Sequence, residues 1–235
     1  MEPLVFLPGM MCDARLFAPQ VTALSREMAV TVAPITMGER VEEMASALLG
    51  VLPAKFALAG LSMGGIVAME ILRRAPERVT RVALMDTNPL AETPQSAAGY
   101  EPLIVGARAG RFEDMMRMIL KPEHLAPGPQ RLQVMSQVAE MGRAMGPDVF
   151  IRQCRALQRR KDQQATLRRI KMPALVLCGE HDGLTPVKRH TFMAELIPYA
   201  RLEIVPDAGH LPTLEQPEVV TAILRHWMTQ PFVLK

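Results

Sequence analysis

Six short apolar runs recur along the chain, and the stretches between them are amphipathic or helix-like. The runs are 3–9 (PLVFLPG), 29–35 (AVTVAPI), 55–60 (KFALAG), 79–86 (VTRVALMD), 173–180 (PALVLCGE) and 201–206 (RLEIVP). Several are apolar almost without interruption, as strands covered on both faces must be. Between them, Val41, Met44, Ala45, Leu48 and Leu52 fall on one helical stripe. Residues 65–75 are apolar nearly all round until Pro76 stops them. Thr185 and Pro186 predict the start of a further helix, with Thr185 as its cap, and 215–228 predicts the last one. Strand and helix in alternation build an α/β fold: a mostly parallel sheet of about six strands with helices on both faces.

The 235 residues are enough to bury one large core of this kind. The rhythm breaks once. From 90 to 168 there is no strand candidate, only helical stretches punctuated by Pro94, Gly110, Pro122, Pro127, Gly146 and Pro147. A structureless loop of that length is uncommon inside a compact domain. The expected organisation is a core from 1–89 and 169–235, with 90–168 inserted in it as a helical lid.

Chemistry concentrates at GLSMGG, residues 60–65. Gly-x-Ser-x-Gly between a strand and a helix is the nucleophile elbow, a tight turn that exposes one hydroxyl. Ser62 as a plain helix N-cap is the bland alternative. A serine hydroxyl is a weak nucleophile at neutral pH and needs a base. Of the five histidines, His210 in PDAGHLP directly follows the last strand run. It therefore hangs over the carboxyl edge of the sheet, where ligands bind in open α/β folds. His124 lies in the insertion, His190 and His226 on helices, and His181 at a strand end. The base needs an orienting carboxylate. Asp182, in the loop after 173–180, is the first candidate; Asp86, ending 79–86, competes with it. Asp207 reads as a turn residue.

Over essentially its whole length the sequence resembles the α/β-hydrolase superfamily. The resemblance is carried by LPGMMCD, GLSMGG, GEHDGLTP and DAGHLPTLEQP, in that order. It implies a serine hydrolase of carboxylic esters or lactones, with Ser62, Asp182 and His210 as catalytic triad. It further implies an oxyanion hole from the backbone N–H groups of Met10 and Met63, and neither cofactor nor metal. Pro8 stands where a histidine often precedes the loop glycine; the oxyanion donor is a backbone group, so the hole survives that change.

Composition removes other classes. A net charge of +3 and 4% aromatic residues give no nucleic-acid footprint. No apolar run approaches the 18 residues of a membrane span. The opening MEPLVFLPGMMCD lacks a basic start and a long enough apolar segment for a signal peptide. Cys12, Cys154 and Cys178 cannot all pair and lack zinc-site spacing, so a reducing, cytoplasmic setting is expected. Cys12 reads as a packed thiol beside the oxyanion loop.

The partner expected is a small-molecule ester or lactone. Residues 90–168 hold 12 Lys and Arg against 8 Asp and Glu. That excess suits an anionic substrate, as an enol-lactonase or carbon–carbon bond hydrolase would take. Against it, Met10, Met11 and Met63, with Leu103, Ile104, Met115 and Ile119 of the insertion, offer an apolar pocket lining. An unpaired carboxylate there would be poorly solvated. Small to medium uncharged, apolar esters are therefore the expected substrates. A receptor that binds ligands in the same pocket without turnover is the reading from a different class.

Overall fold

The structure, a computed structural model, describes residues 2–231. The six apolar runs form six strands: β1 (Leu4–Leu7), β2 (Val30–Val32), β3 (Phe56–Leu61), β4 (Val79–Met85), β5 (Ala174–Gly179) and β6 (Arg201–Val205). They make one sheet in the order β2-β1-β3-β4-β5-β6, and every pairing is parallel. Parallel neighbours need crossovers, which the helices between the strands supply.

Alternation of side chains divides the core into two faces. Val5, Leu7, Leu58 and Val176 point to one face, where α2 (Val41–Val51) and α3 (Met63–Arg74) contribute Met44, Leu48, Val67 and Ile71. Leu4, Phe6, Ala57 and Leu177 point to the other. There α1 (Ala18–Leu24) and α12 (Pro217–Met228) contribute Leu24, Leu224 and Trp227. β1, β3 and β5 are buried throughout, whereas the edge strands β2 and β6 are partly exposed. The charged Arg201 and Glu203 in the run of β6 fit that exposure.

Between β4 and β5 lie only helices: α4 (Pro94–Ala98), α5 (Tyr100–Arg108), α6 (Phe112–Ile119), α7 (Arg131–Met145), α8 (Pro147–Gln158) and α9 (Gln164–Leu167), plus one 3-10 turn. Leu103, Ile104, Ala107, Met115, Phe150 and Cys154 form their own buried cluster together with Met11. The two ends of this excursion are tied together. The Gln163 N–H donates to the Pro89 carbonyl at 2.8 Å, and Gln163 Nε2 donates to the buried Glu70 of α3 at 2.9 Å.

Two expectations about helix starts need correction. Residues 215–228 are split into α11 (Pro212–Glu215) and α12, because Pro217 has no N–H to continue the first helix. α10 (Val187–Leu196) begins with Pro186 as its N-cap and has no side-chain cap. The Thr185 hydroxyl is engaged elsewhere, as described below.

Candidate active site

Three loops at the carboxyl edge of the sheet bring the candidate residues together. Ser62 follows β3 directly and precedes α3, with φ +54 and ψ −117. So tight a turn leaves no room for side chains: a methyl at Gly60 would meet the Gly64 carbonyl, and one at Gly64 the Leu7 carbonyl. The strained conformation is pinned by a hydrogen bond from the Ser62 N–H to the Met85 carbonyl (2.9 Å). A second runs from the Thr87 hydroxyl to the Ser62 carbonyl (2.7 Å). Strain of this kind persists only where the surroundings over-determine it.

Asp182 lies in the loop after β5. Its Oδ1 accepts from the N–H groups of Leu184 (2.8 Å) and Thr185 (2.9 Å), and its Oδ2 from the Thr185 hydroxyl (2.6 Å). Thr185 is thus a carboxylate donor; it does not cap α10, because Pro186 holds the N-cap position. Asp182 Oδ2 also lies 2.9 Å from His210 Nδ1, and His210 Nε2 lies 3.0 Å from Ser62 Oγ. Burial alone would raise the Asp182 pKa. The facing His210 and the hydrogen bonds from His210 and Thr185 outweigh it and hold the carboxyl at about 2.

His210 is positioned by a residue whose role the sequence reading missed. The buried carboxylate of Glu215 accepts from the N–H groups of Gly209 (2.9 Å), Leu211 (2.9 Å) and Ala126 (2.7 Å). It clamps both neighbours of His210 and ties them to the insertion. The His210 N–H itself donates to the His124 carbonyl at 2.8 Å. A Glu five residues after a loop His was the available signal.

Asp86, the competing acid, is fully buried and turned to a different task. Its Oδ1 accepts from the Gly179 N–H at 2.9 Å, while Oδ2 has no partner among the described residues. Burial, then the nearby Asp182, pushes its pKa well above the ordinary carboxylate value. Asp86, Asp182 and His210 each present a ligand atom within 4.8 Å of the others. This cluster is a poor fit for a metal: burial and the nearby Asp182 disfavour a charged Asp86, and both oxygens of Asp182 already accept hydrogen bonds. The remaining titratable neighbours are structural. His190 is buried and accepts from the Thr87 N–H through Nε2 (3.0 Å). Burial, with Asp13 adding to it, pushes the Cys12 thiol up to about 12, so it is inert.

Around Ser62 lie two cavities. Met10 and Ser62 border both; Met63 borders the second. Met63 is the first residue of α3, so its N–H is one of the helix donors without an intrahelical acceptor. Of the pocket candidates, Met11 lines the first cavity, Leu103 the second and Ile119 both. Ile104 and Met115 lie instead in the buried cluster among the inserted helices. Amphipathic spacing puts each on an apolar face, but the face of α5 packs on α8, and Met115 of α6 packs against Gly106 of α5.

The family model described as alpha/beta hydrolase fold matches residues 41–217. The chain belongs to the α/β-hydrolase fold family. It is 30% identical over 199 residues to the pimeloyl-[acyl-carrier protein] methyl ester esterase of Aromatoleum aromaticum, covering 77% of each chain. Among solved structures it matches a thermophilic esterase from Thermogutta terrifontis with a TM-score of 0.89 and 26% identity. That match covers 97% of this chain and 89% of the other. The enol-lactonase of Burkholderia xenovorans shares the fold at a TM-score of 0.84 and 24% identity, over 98% of this chain and 92% of its own. The chain is a hydrolase of the esterase group, and its candidate residues lie at the carboxyl edge of the sheet, where open α/β folds bind ligands. Among the described residues, no helix is long and apolar enough to cross a membrane.

Proposed function

We propose that the protein hydrolyses carboxylic esters through an acyl-serine intermediate. The observation that carries this reading is the continuous chain Ser62 Oγ, His210 Nε2, His210 Nδ1, Asp182 Oδ2, with spacings of 3.0 and 2.9 Å. Ser62 attacks the ester carbon while His210 accepts its proton; Asp182 holds the imidazole in the tautomer that leaves Nε2 free to do so. The N–H groups of Met10 and Met63 stabilise the oxyanion, commonly the largest electrostatic contribution in such chemistry. The alcohol leaves with the proton from His210, and water activated by the same imidazole releases the acid. In this reading residues 90–168 act as a lid that walls the cavities above Ser62.

The substrates are uncharged, small to medium and predominantly apolar esters. Several basic residues of the insertion already face carboxylates: Arg155 pairs with Glu101, Arg160 with Glu92, Arg117 with Glu113 and Asp114, and Lys161 with Glu42 of α2. Arg160, which borders the second cavity, is already neutralised there. A panel of esters, lactones and thioesters, run beside fluorophosphonate labelling, tests the proposal; methyl esters, named for the Aromatoleum relative, belong in it. Covalent labelling of Ser62 with fastest turnover on neutral esters is expected. An inert Ser62 supports the receptor reading, and a preference for anionic lactones supports the enol-lactonase one.

A further inference from the structure

The two cavities that meet at Ser62 differ in lining and in what they reach. The first lies between the loop after β1 and helices α6 and α7, against Met116, Met135, Val138 and Phe150, with the exposed Glu113, Arg117 and Arg143 also bordering it. His210 and Leu211 border it as well. The second runs toward α4 and α5 and is bordered by Leu103, Tyr100, Ser96, Asn88 and the Glu92–Arg160 pair; His210 is absent from its lining. In that pair the side chains are only 12% and 10% exposed, with 2.8 Å between Arg160 Nη2 and Glu92 Oε1. Tyr100 Oη donates to the same Glu92 oxygen. Arg160 Nε is buried with no acceptor among the described residues. A buried N–H without a partner is a rarity that asks for one.

Ester chemistry assigns the two sides. Ser62 Oγ bonds to the carbonyl carbon as its proton passes to His210 Nε2. The bond from that carbon to the alcohol oxygen then breaks, and the oxygen takes the proton back from Nε2. The alcohol oxygen must therefore lie against His210, and its substituent extends into the cavity that His210 borders. We propose that the alcohol half of the ester occupies the apolar cavity beneath α6 and α7, and the acyl half the cavity bordered by Arg160. This rests on the acyl-serine reading above and adds a substrate class to it. The substrate joins an apolar alcohol to an acid that carries a neutral hydrogen-bond acceptor for the polar side of the second cavity, where Asn88, Ser96 and Arg160 lie. Glu92 already balances the guanidinium charge, so an ether, keto or amide oxygen suits the site better than a second carboxylate.

Hexyl acetate and ethyl hexanoate are isomers that place the same chain on opposite sides of the ester. Wild-type kcat/KM is expected to favour hexyl acetate by about tenfold. Val138→Trp, which fills the first cavity, is expected to remove that preference. For the acyl side, hexyl methoxyacetate is compared with hexyl butyrate, an oxygen replacing one methylene. The ratio of their kcat/KM values in wild type is expected to exceed that in an Arg160→Met, Glu92→Gln double variant by about fivefold, the worth of one hydrogen bond. Taking this ratio in both proteins cancels the intrinsic reactivity of the methoxy ester. A preference for ethyl hexanoate, or a ratio unchanged by the double variant, overturns the assignment while labelled Ser62 leaves the hydrolase reading intact. No turnover of any ester together with an unlabelled Ser62 overturns both.

Discussion

The Met11 N–H donates to Gln153 Oε1 at 2.9 Å, joining two residues 142 positions apart. Gln153 is fully buried on α8, and its Nε2 donates in turn to the Ile35 carbonyl at 3.1 Å. One side chain of the inserted helices thus holds the loop that carries Met10, with Met11 at φ +54. In the proposed mechanism such a residue positions an oxyanion donor without touching substrate.

Gln153→Leu is accordingly expected to lower kcat about 10- to 100-fold with little change in KM, since a displaced donor weakens transition-state binding selectively. Two buried backbone groups lose their partners, so stability falls as well, by about 2 kcal/mol or more. Steady-state kinetics and thermal melts read the two effects separately. An unchanged kcat would show that the loop holds its shape without Gln153.

Ser62→Ala is expected to leave the fold intact and to lower kcat by something on the order of a millionfold. Circular dichroism, melting temperature and turnover of the best ester check it. Retention of even about a tenth of activity in contaminant-free protein would remove Ser62 from the mechanism.

The two aspartates should separate cleanly. Asp182→Asn is expected to cost about 10⁴-fold in kcat, because the amide favours the wrong imidazole tautomer. Asp86→Asn should cost far less, since Asp86 bonds the Gly179 N–H and makes no hydrogen bond to His210. Their pH signatures also have opposite signs. Asp182 is held at about 2, below its ordinary 3.8, so the stability it contributes is present above 3.8 and lost as pH falls toward 2. Asp86 is raised, so its contribution is complete below 3.8 and declines as pH climbs toward its folded value. Melting curves across pH should therefore show Asp86→Asn gaining on wild type from acid toward neutral pH. A constant difference at all pH values would mean that burial does not raise the Asp86 pKa.

Glu215→Gln tests the clamp on His210. The amide presents N–H groups to backbone N–H groups that a carboxylate oxygen now accepts. A loss of about 3 kcal/mol is expected from charge-assisted bonds of this kind. In a chain of this size that is a melting-temperature drop of about 6–12 °C. Below the melting range, kcat should fall while covalent labelling of Ser62 slows in step. A stable variant with full activity would show that the Asp182 contact alone holds the imidazole.

The convergence of Ser62, Asp182 and His210 was legible because each sits in the loop that follows an apolar run, and in a parallel sheet such loops emerge at the same edge. Strand positions were legible for the same local reason: Phe56–Leu61 is observed where 55–60 was expected, and Val79–Met85 where 79–86 was. The six-strand parallel sheet with helices on both faces followed from these positions. Gln153, Glu215, Thr185 and the Glu92–Arg160 pair were not legible as parts of the site. Gln153, Glu215 and Arg160 act through partners far along the chain, Met11, Ala126 and Glu92, that packing alone brings close; Thr185 has a near neighbour, Asp182, but its expected role as a helix cap pointed elsewhere. The same limit separated Ile119, which borders both cavities, from Ile104 and Met115, which are buried among helices. Periodicity reports which residues share a helix face. What that face meets depends on how the helices close over the sheet, and that is a property of contacts between distant parts of the chain.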